Sequence, residues 1–433
     1  MRKTSYLYLI MYIVLYMLSS CKKNIDTFAP QITITIPTEN QQFSVMDSIH
    51  VIANVCDDRK LQTIDITVTN LSFVTVLSSP TISPVNNCYD INQSLPINDI
   101  FLTSGFYYLI INASDGINVT RKFQKIYIST LPKKLKYVIV VTKNGNTLGI
   151  HKIDSTHTVS LINTLTQDYC GSAVSSNAQL FYIAGRYNGD VSVYSTQDWT
   201  LQWNIPIIVS PPFPYFEAIE VYNDQLYVSY RQAKFEIYNE LGSIRTSRAI
   251  DYGNYPMKFL PIGNFLLTYE RSPSASVKQF VIYYKTSYAI FQKLTIPFEV
   301  QSLFPKDDDH SIVFTNYNNQ ATIKLFTIST HNFWDAYTVS SGAITSVASI
   351  DANNYLYATS TGFYWYDYQN TSSVLLTAPV NPQLVVYDET DSNYMIASDY
   401  HTFKTLSFPA SNVQYSLNFA DSIINILPVY NKD

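Results

Sequence analysis

The side chains of this chain that could do chemistry are scattered, and their spacing excludes more reactions than it admits. His50, His151, His157, His310, His331 and His401 keep none of the spacings of a metal site, and none stands with a Cys or Glu as a zinc site requires. Neither a glycine-rich phosphate loop nor a Gly-x-Ser-x-Gly elbow occurs, so no catalytic residue, metal or cofactor is assigned. The acids Glu217, Glu220, Glu270 and Glu299 share no motif that would pair two of them for glycoside chemistry. A more coherent set joins planar aromatics to cations: Arg186, Tyr187, Tyr230, Arg231, Arg271, Tyr317, Tyr400 and His401. Rings with Arg or Asn beside them can stack on and hydrogen-bond to sugar rings, peptides or partner loops, which makes these residues the candidate ligand-binding set, against the alternative of Tyr and Arg capping a solvated loop rim.

Those residues need elements to place them, and the elements repeat. Seven short apolar segments, centred on His151, Tyr194, Tyr238, Tyr283, Phe326, Tyr366 and Leu406, recur at steps of 43, 44, 45, 43, 40 and 40 residues. Four strands with their turns take roughly 40 to 45 residues, so the period is that of a β-propeller with seven blades. Tyr137 to Val141 reads as the second strand of the first blade, while Ser422 to Tyr430 is an apolar strand left over after the seventh. The two gaps match, and the C-terminal strand is expected to complete blade one and close the ring, removing free sheet edges. In this register the eight candidate residues sit at the ends of second strands, on the face where the crossings between blades converge. Asp307-Asp308-Asp309-His310, the densest ionisable cluster, falls on the opposite face in line with Asn177, Asn223-Asp224, Gly263-Asn264, Asn353-Asn354 and Asp391-Ser392-Asn393, where turn chemistry accounts for it.

Upstream, Ile32 to Ile36 alternates Ile and Thr between Pro30 and Pro37, and further strands read at Ser48 to Val55, Ile64 to Asn70, Phe106 to Ala113 and Arg121 to Ile128. A β-sandwich over 31–130 is expected, with the polar stretch 131–135 as hinge and the propeller over 136–433. Asp57-Asp58 and Asp115-Gly116 read as turns; a Ca²⁺ site built from Asp57, Asp58 and Asp115 lacks the fuller ligand set that the ion asks for.

The first residues carry Arg2 and Lys3, an apolar run from Tyr6 to Leu18, then Ser19, Ser20 and Cys21, the three-part build of an export signal over 1–20. The segment Leu18-Ser19-Ser20-Cys21 resembles the bacterial lipobox, which implies lipidation of Cys21 and a membrane attachment through that lipid, with 21–30 as tether. No Asp follows Cys21 directly, which favours the outer membrane, and the lone Asp26 leaves the periplasmic and cell-surface faces both open. The sandwich segment, with Gly105-Phe106-Tyr107 running into Asn112 to Gly116, resembles the Ig-like modules of Bacteroidota-type lipoproteins. Tyr194 through Asp198-Trp199 to Trp203 resembles quinoprotein-like and YVTN-type propeller repeats; the resemblance carries the fold and no quinone cofactor.

Net charge is −5 and the Lys and Arg residues are dispersed, so no footprint for nucleic acid exists. With Cys21 lipidated, Cys56, Cys88 and Cys170 remain in an oxidising compartment; Cys56 with Cys88 is the candidate disulfide, against the equal alternative of three small buried thiols. The chain thus reads as all-β, an Ig-like sandwich followed by a seven-bladed propeller, serving as a lipid-anchored, non-catalytic platform for a glycan or protein ligand. A propeller lyase or glycoside hydrolase, or an accessory subunit of an outer-membrane complex, are the alternatives.

Overall fold

A computed structural model describes residues 26–208, 213–251 and 253–432; the segment expected to be an export signal with Cys21, and Pro211 and Pro212 of one crossing, lie outside them. The described residues form an all-β chain that contains no helix long and apolar enough to cross a membrane. The chain divides into two compact units, Met1–Pro132 and Lys133–Asp433.

The first unit is two sheets around one core. One sheet orders Gln31–Ile36, Ser48–Cys56 and Cys88–Pro96; the other orders Gln41–Ser44, Val119–Ser129, Gly105–Ser114, Thr63–Thr69 and Thr75–Ser78. Alternation decides which side chains go inside: Ile49, Val51, Ala53 and Val55 of one strand are buried while Ser48, His50 and Asn54 face out. Ile64, Ile66 and Val68 from the second sheet meet them in the same cluster. Cys56 and Cys88 stand directly opposite at the last paired position of their strands, and a disulfide joins them.

The second unit is propeller-like, built of seven four-stranded antiparallel sheets. In six of them the strand order follows the chain. In the remaining one the C-terminal strand Ser422–Tyr430 pairs antiparallel with Leu135–Asn144, which pairs in turn with Thr147–Ile153 and Val159–Thr166. The first strands of the sheets, Gly171–Ser175, Phe216–Tyr222, Tyr255–Ile262, Glu299–Pro305, Ile344–Ser349 and Pro382–Asp388, each lie against the next, and Ser422–Tyr430 touches both the last and the first of them.

Packing explains the sequence pattern of these sheets. Second strands such as Leu180–Ala184 and Asn354–Thr359 are buried nearly throughout, because neighbouring sheets cover both of their faces, so they read as unbroken apolar runs. Fourth strands such as Ile244–Ala249 are the outer edge and stay largely exposed. Asn and Asp close the turns because they accept left-handed backbone: Asn223 and Asp224, at φ of 47° and 60°, join Phe216–Tyr222 to Gln225–Tyr230, and Asn318 and Asn319, at 50° and 61°, join His310–Tyr317 to Gln320–Thr327. Asp307 accepts the Asp309 N–H at 2.9 Å, and Asp309 accepts the Ser329 N–H and hydroxyl from the turn between the third and fourth strands, so both acids are spent on turns of their sheet.

One device positions the site. In six of the seven first strands an extra residue interrupts the register with the second strand: Glu217, Met257, Gln301, Thr345, Gln383 and Ile424. A bulge re-aims the side chain that it carries. Four of these residues, Glu217, Met257, Gln301 and Thr345, line the central cavity.

Candidate functional site

The cavity, about 680 Å³, is walled by the first strands of several sheets and by Tyr269 and Arg271 at the end of a second strand. Its carboxylates are Glu217, Glu220 and Glu299, and each meets a cation contributed by a neighbouring strand or sheet. Glu217 is the most enclosed, with a fully buried side chain. Arg186 Nη2 donates to its Oε2 at 2.5 Å and Arg231 Nη1 to its Oε1 at 2.7 Å. The two arginines end the second strands of adjacent sheets, so Glu217 ties those sheets together across the cavity wall.

Arg186 is itself held by a local frame. Asp168 accepts the backbone N–H groups of Arg186, Tyr187 and Asn188 at 3.0, 2.8 and 3.0 Å. A Cβ on Gly185 would lie 2.4 Å from Gly189 Cα, so only glycine lets this loop close. Burial disfavours the Arg186 cation, but the Glu217 carboxylate outweighs it and raises the guanidinium above its ordinary value. Arg231 stacks over the Tyr255 ring at 4.7 Å.

The other two acids are set differently. Glu220 accepts the Phe259 N–H at 2.7 Å and pairs with Lys258 at 3.3 Å; burial raises its carboxyl, and Lys258 offsets only part of that. Glu299 accepts the Tyr269 hydroxyl and pairs with Lys278 at 3.1 Å and Arg271 at 3.7 Å. Burial pushes the Glu299 carboxyl up, but the Tyr269 hydroxyl and Lys278 hold it below the usual carboxylate range. Cys170, a free cysteine in the cavity wall, has its thiol pushed up to about 12 by burial and the nearby Glu217 charge, which disfavours the thiolate.

A second cavity, about 320 Å³, shares Glu299 and Gln301 with the first and adds Lys278, Asn316, Tyr317, Asn318 and Asn319. Asn316 is engaged in exchanging hydrogen bonds with the Ile344 backbone at 2.8 and 2.9 Å. Tyr317, 54% exposed, presents a free ring at the entrance. Arg271 and Tyr317 therefore reach one continuous polar surface through Glu299.

The candidate set is divided by this geometry. Arg271 lines the first cavity beside Glu299 and Tyr317 the second; Arg186 and Arg231 reach the wall through Glu217 without lining it, and Tyr187 lies exposed beside Arg186. Tyr230 does not belong to the rim: it is 1% exposed, packs on Tyr215 and Phe216, and holds its hydroxyl 2.8 Å from that of Tyr238. An aromatic at a strand end faces either the rim or the adjacent sheet, and here packing takes it. Tyr400 and His401 line neither cavity; their carbonyls accept the N–H groups of Ile423 and Phe419, which holds the C-terminal strand in place. Lys258, Lys278, Tyr269 and Gln301 are site residues that no motif marks, since single Lys, Tyr and Gln residues in strands carry no local signature.

No protein-family model matches the chain, and no curated protein matches it. Among solved structures it is similar to the computationally designed Ika8 protein, at 10% sequence identity and a TM-score of 0.47, over 68% of this chain and 91% of that one.

Proposed function

We propose that this chain is a lipid-anchored envelope protein in which Cys21 carries the lipid, an Ig-like module forms the stalk, and the seven sheets are the blades of a closed propeller that binds a ligand at its channel mouth without transforming it. Closure is supported by the run of first-strand contacts, which returns to its start through Ser422–Tyr430. The outer membrane, on its periplasmic or cell-surface face, is the residence that the lipobox reading favours.

The observation that carries the binding reading is that each carboxylate lining the cavity is held by a cation. Catalysis by a pair of acids needs one poised to give a proton and one free to attack or to take one. Glu217 is clamped on both oxygens by arginines, and Glu299 is held by Tyr269, Lys278 and Arg271. Lys258, Arg271 and Lys278 line the two cavities beside three carboxylates, while Arg186 and Arg231 stand behind Glu217. These paired charges, with Gln301, Tyr317 and Asn319 beside them, suit a hydroxyl-rich ligand, for which a glycan is the leading chemistry.

One observation favours a second reading, a hydrolase or lyase: burial raises the Glu220 carboxyl while the Glu299 carboxyl is lowered, the divergence that separates an acid from a base. A screen of the soluble chain on glycan arrays and peptide pools tests both readings. Saturable binding, weakened at least about tenfold by Arg271→Ala with Tyr317→Ala, is expected; this pair leaves Glu299 its Lys278 and Tyr269 partners. Binding indifferent to the pair would refute the site.

A further inference from the structure

The first unit holds a group of acids that turn chemistry does not exhaust. Asp26, Asp57 and Asp58 each bring a carboxylate oxygen to within 4.8 Å of the other two. Asp26 and Asp57 are 5% and 7% exposed, and carboxylates so enclosed are kept by partners that satisfy their charge. One oxygen of Asp57 has such partners, since Oδ1 accepts the N–H groups of Arg59 and Lys60 at 2.9 and 3.2 Å and so builds the turn. The other, Oδ2, is buried and receives no hydrogen bond among the described residues. Asp26 Oδ1 accepts the Phe28 N–H at 3.2 Å, and Arg59 Nε stands 3.4 Å from Asp26 Oδ2, the one ion pair that the three carboxylates make among the described residues.

The segment that supplies Asp26 is fastened there by other means. Asn118 Nδ2 donates to the Phe28 carbonyl at 2.8 Å and to Asp115 Oδ2 at 2.9 Å, and Asp115 Oδ1 accepts the Ile117 and Asn118 N–H groups at 2.6 Å each. Asp115 is thus a turn residue, as its sequence context implies, and its part in a cation site passes to Asp26. A cavity of about 220 Å³, lined by Phe28, Ala29, Gln31, Cys56, Asp57 and Asp58, adjoins the group.

We infer that Asp26, Asp57 and Asp58 form a site for a hard divalent cation of the Ca²⁺ type, with the orphaned Asp57 Oδ2 as its innermost ligand. The donors are oxygen throughout: no His takes part, and Cys56 is consumed by its disulfide, which disfavours Zn²⁺ and copper. Three carboxylates in an irregular setting suit the flexible six- to eight-oxygen shell of Ca²⁺, completed by bidentate contacts and water, better than the strict octahedron of Mg²⁺. Bound there, the ion links the segment that enters the unit at residue 26 to the turn after Ser48–Cys56, and so stiffens the point where the chain joins this sheet.

The test uses the full chain, freed of metal by a chelator and titrated calorimetrically with CaCl₂. Expected are one bound Ca²⁺ with a dissociation constant of about 10⁻³ M or tighter, and a melting temperature of the first unit raised by at least about 5 °C at saturation. Asp58→Asn, at an exposed position that folding does not need, lowers the affinity at least about tenfold, and Asp57→Asn abolishes binding. No heat and no thermal shift at millimolar calcium would overturn the inference, as would binding that Asp58→Asn leaves unchanged.

Discussion

The two faces of the second unit use the same chemical group in opposite ways. On the turn face, several carboxylates find partners a few residues away: Asp154 accepts from Thr156 and Thr158, Asp367 from Asn370, and Asp307 from Asp309. On the channel face, Glu217 reaches back 31 residues to Arg186 and Glu220 forward 39 residues to the Phe259 N–H. These local acids shape a hairpin and stay half-buried or exposed, whereas the distant acids join sheets and are enclosed. The difference teaches that the turn acids are interchangeable fittings, while the channel acids are structural ties whose removal is felt across the unit.

The largest effect should come from the most distant tie. Ser422–Tyr430 buries Ile423, Ile426 and Val429, and Asn425 donates to Ser172 from 253 residues away. Deleting 420–433 should abolish the cooperative melting of the second unit; a truncated chain with unchanged calorimetric melting would break the comparison at its strongest point. Next is Glu217→Ala, which strands two guanidinium groups. It should cost about 2 to 4 kcal/mol in denaturant unfolding, the lower end reflecting the partial exposure of both arginines.

A third test concerns sign. Glu270 is enclosed and accepts hydroxyls from Thr268 and Tyr283 at 3.0 and 2.6 Å, and burial raises its carboxyl above the ordinary 4.5. A group raised in the folded state contributes stability below its unfolded value and loses it as pH climbs through the folded one. Glu270→Gln keeps the acceptor oxygen and removes the charge, so its stability relative to the parent chain should improve from pH 4 to pH 7, measured by urea midpoints. Turn acids run the other way. Thr156 and the Thr158 N–H hold the Asp154 carboxyl below its ordinary value, and its contribution, present above the unfolded value, disappears as pH falls through the folded one. The smallest effect is that of Asp367→Asn, which should move the melting temperature by no more than roughly one degree.

The same contrast explains what could be read from the residues alone. The period was visible because six of the seven sheets carry an aromatic third strand and the segments recur at steps of 40 to 45 residues, and Asn353-Asn354 marks a turn through local hydrogen bonds to Asp351 that neighbours in sequence announce. The pairing of Arg186 with Glu217, and of Lys278 with Glu299, depends on which sheet lies beside which and on a one-residue bulge that turns Glu217 inward. No local pattern encodes that. Tyr230 shows the converse: its place at a strand end was legible, but the direction of its ring was decided by Tyr215, Phe216 and Tyr238. In the first unit, Asp57 and Asp115 were legible as turn residues, while the approach of Asp26, 31 residues before Asp57, was not.

The central claim, that the channel mouth holds its ligand and leaves it intact, is tested most directly by following a bound glycan by mass spectrometry during prolonged incubation with the parent chain and with Glu220→Gln. Saturable binding with the glycan mass unchanged in both is the predicted result. Time-dependent cleavage or elimination products from the parent chain, lost in Glu220→Gln, would contradict it and assign the cavity to an enzyme.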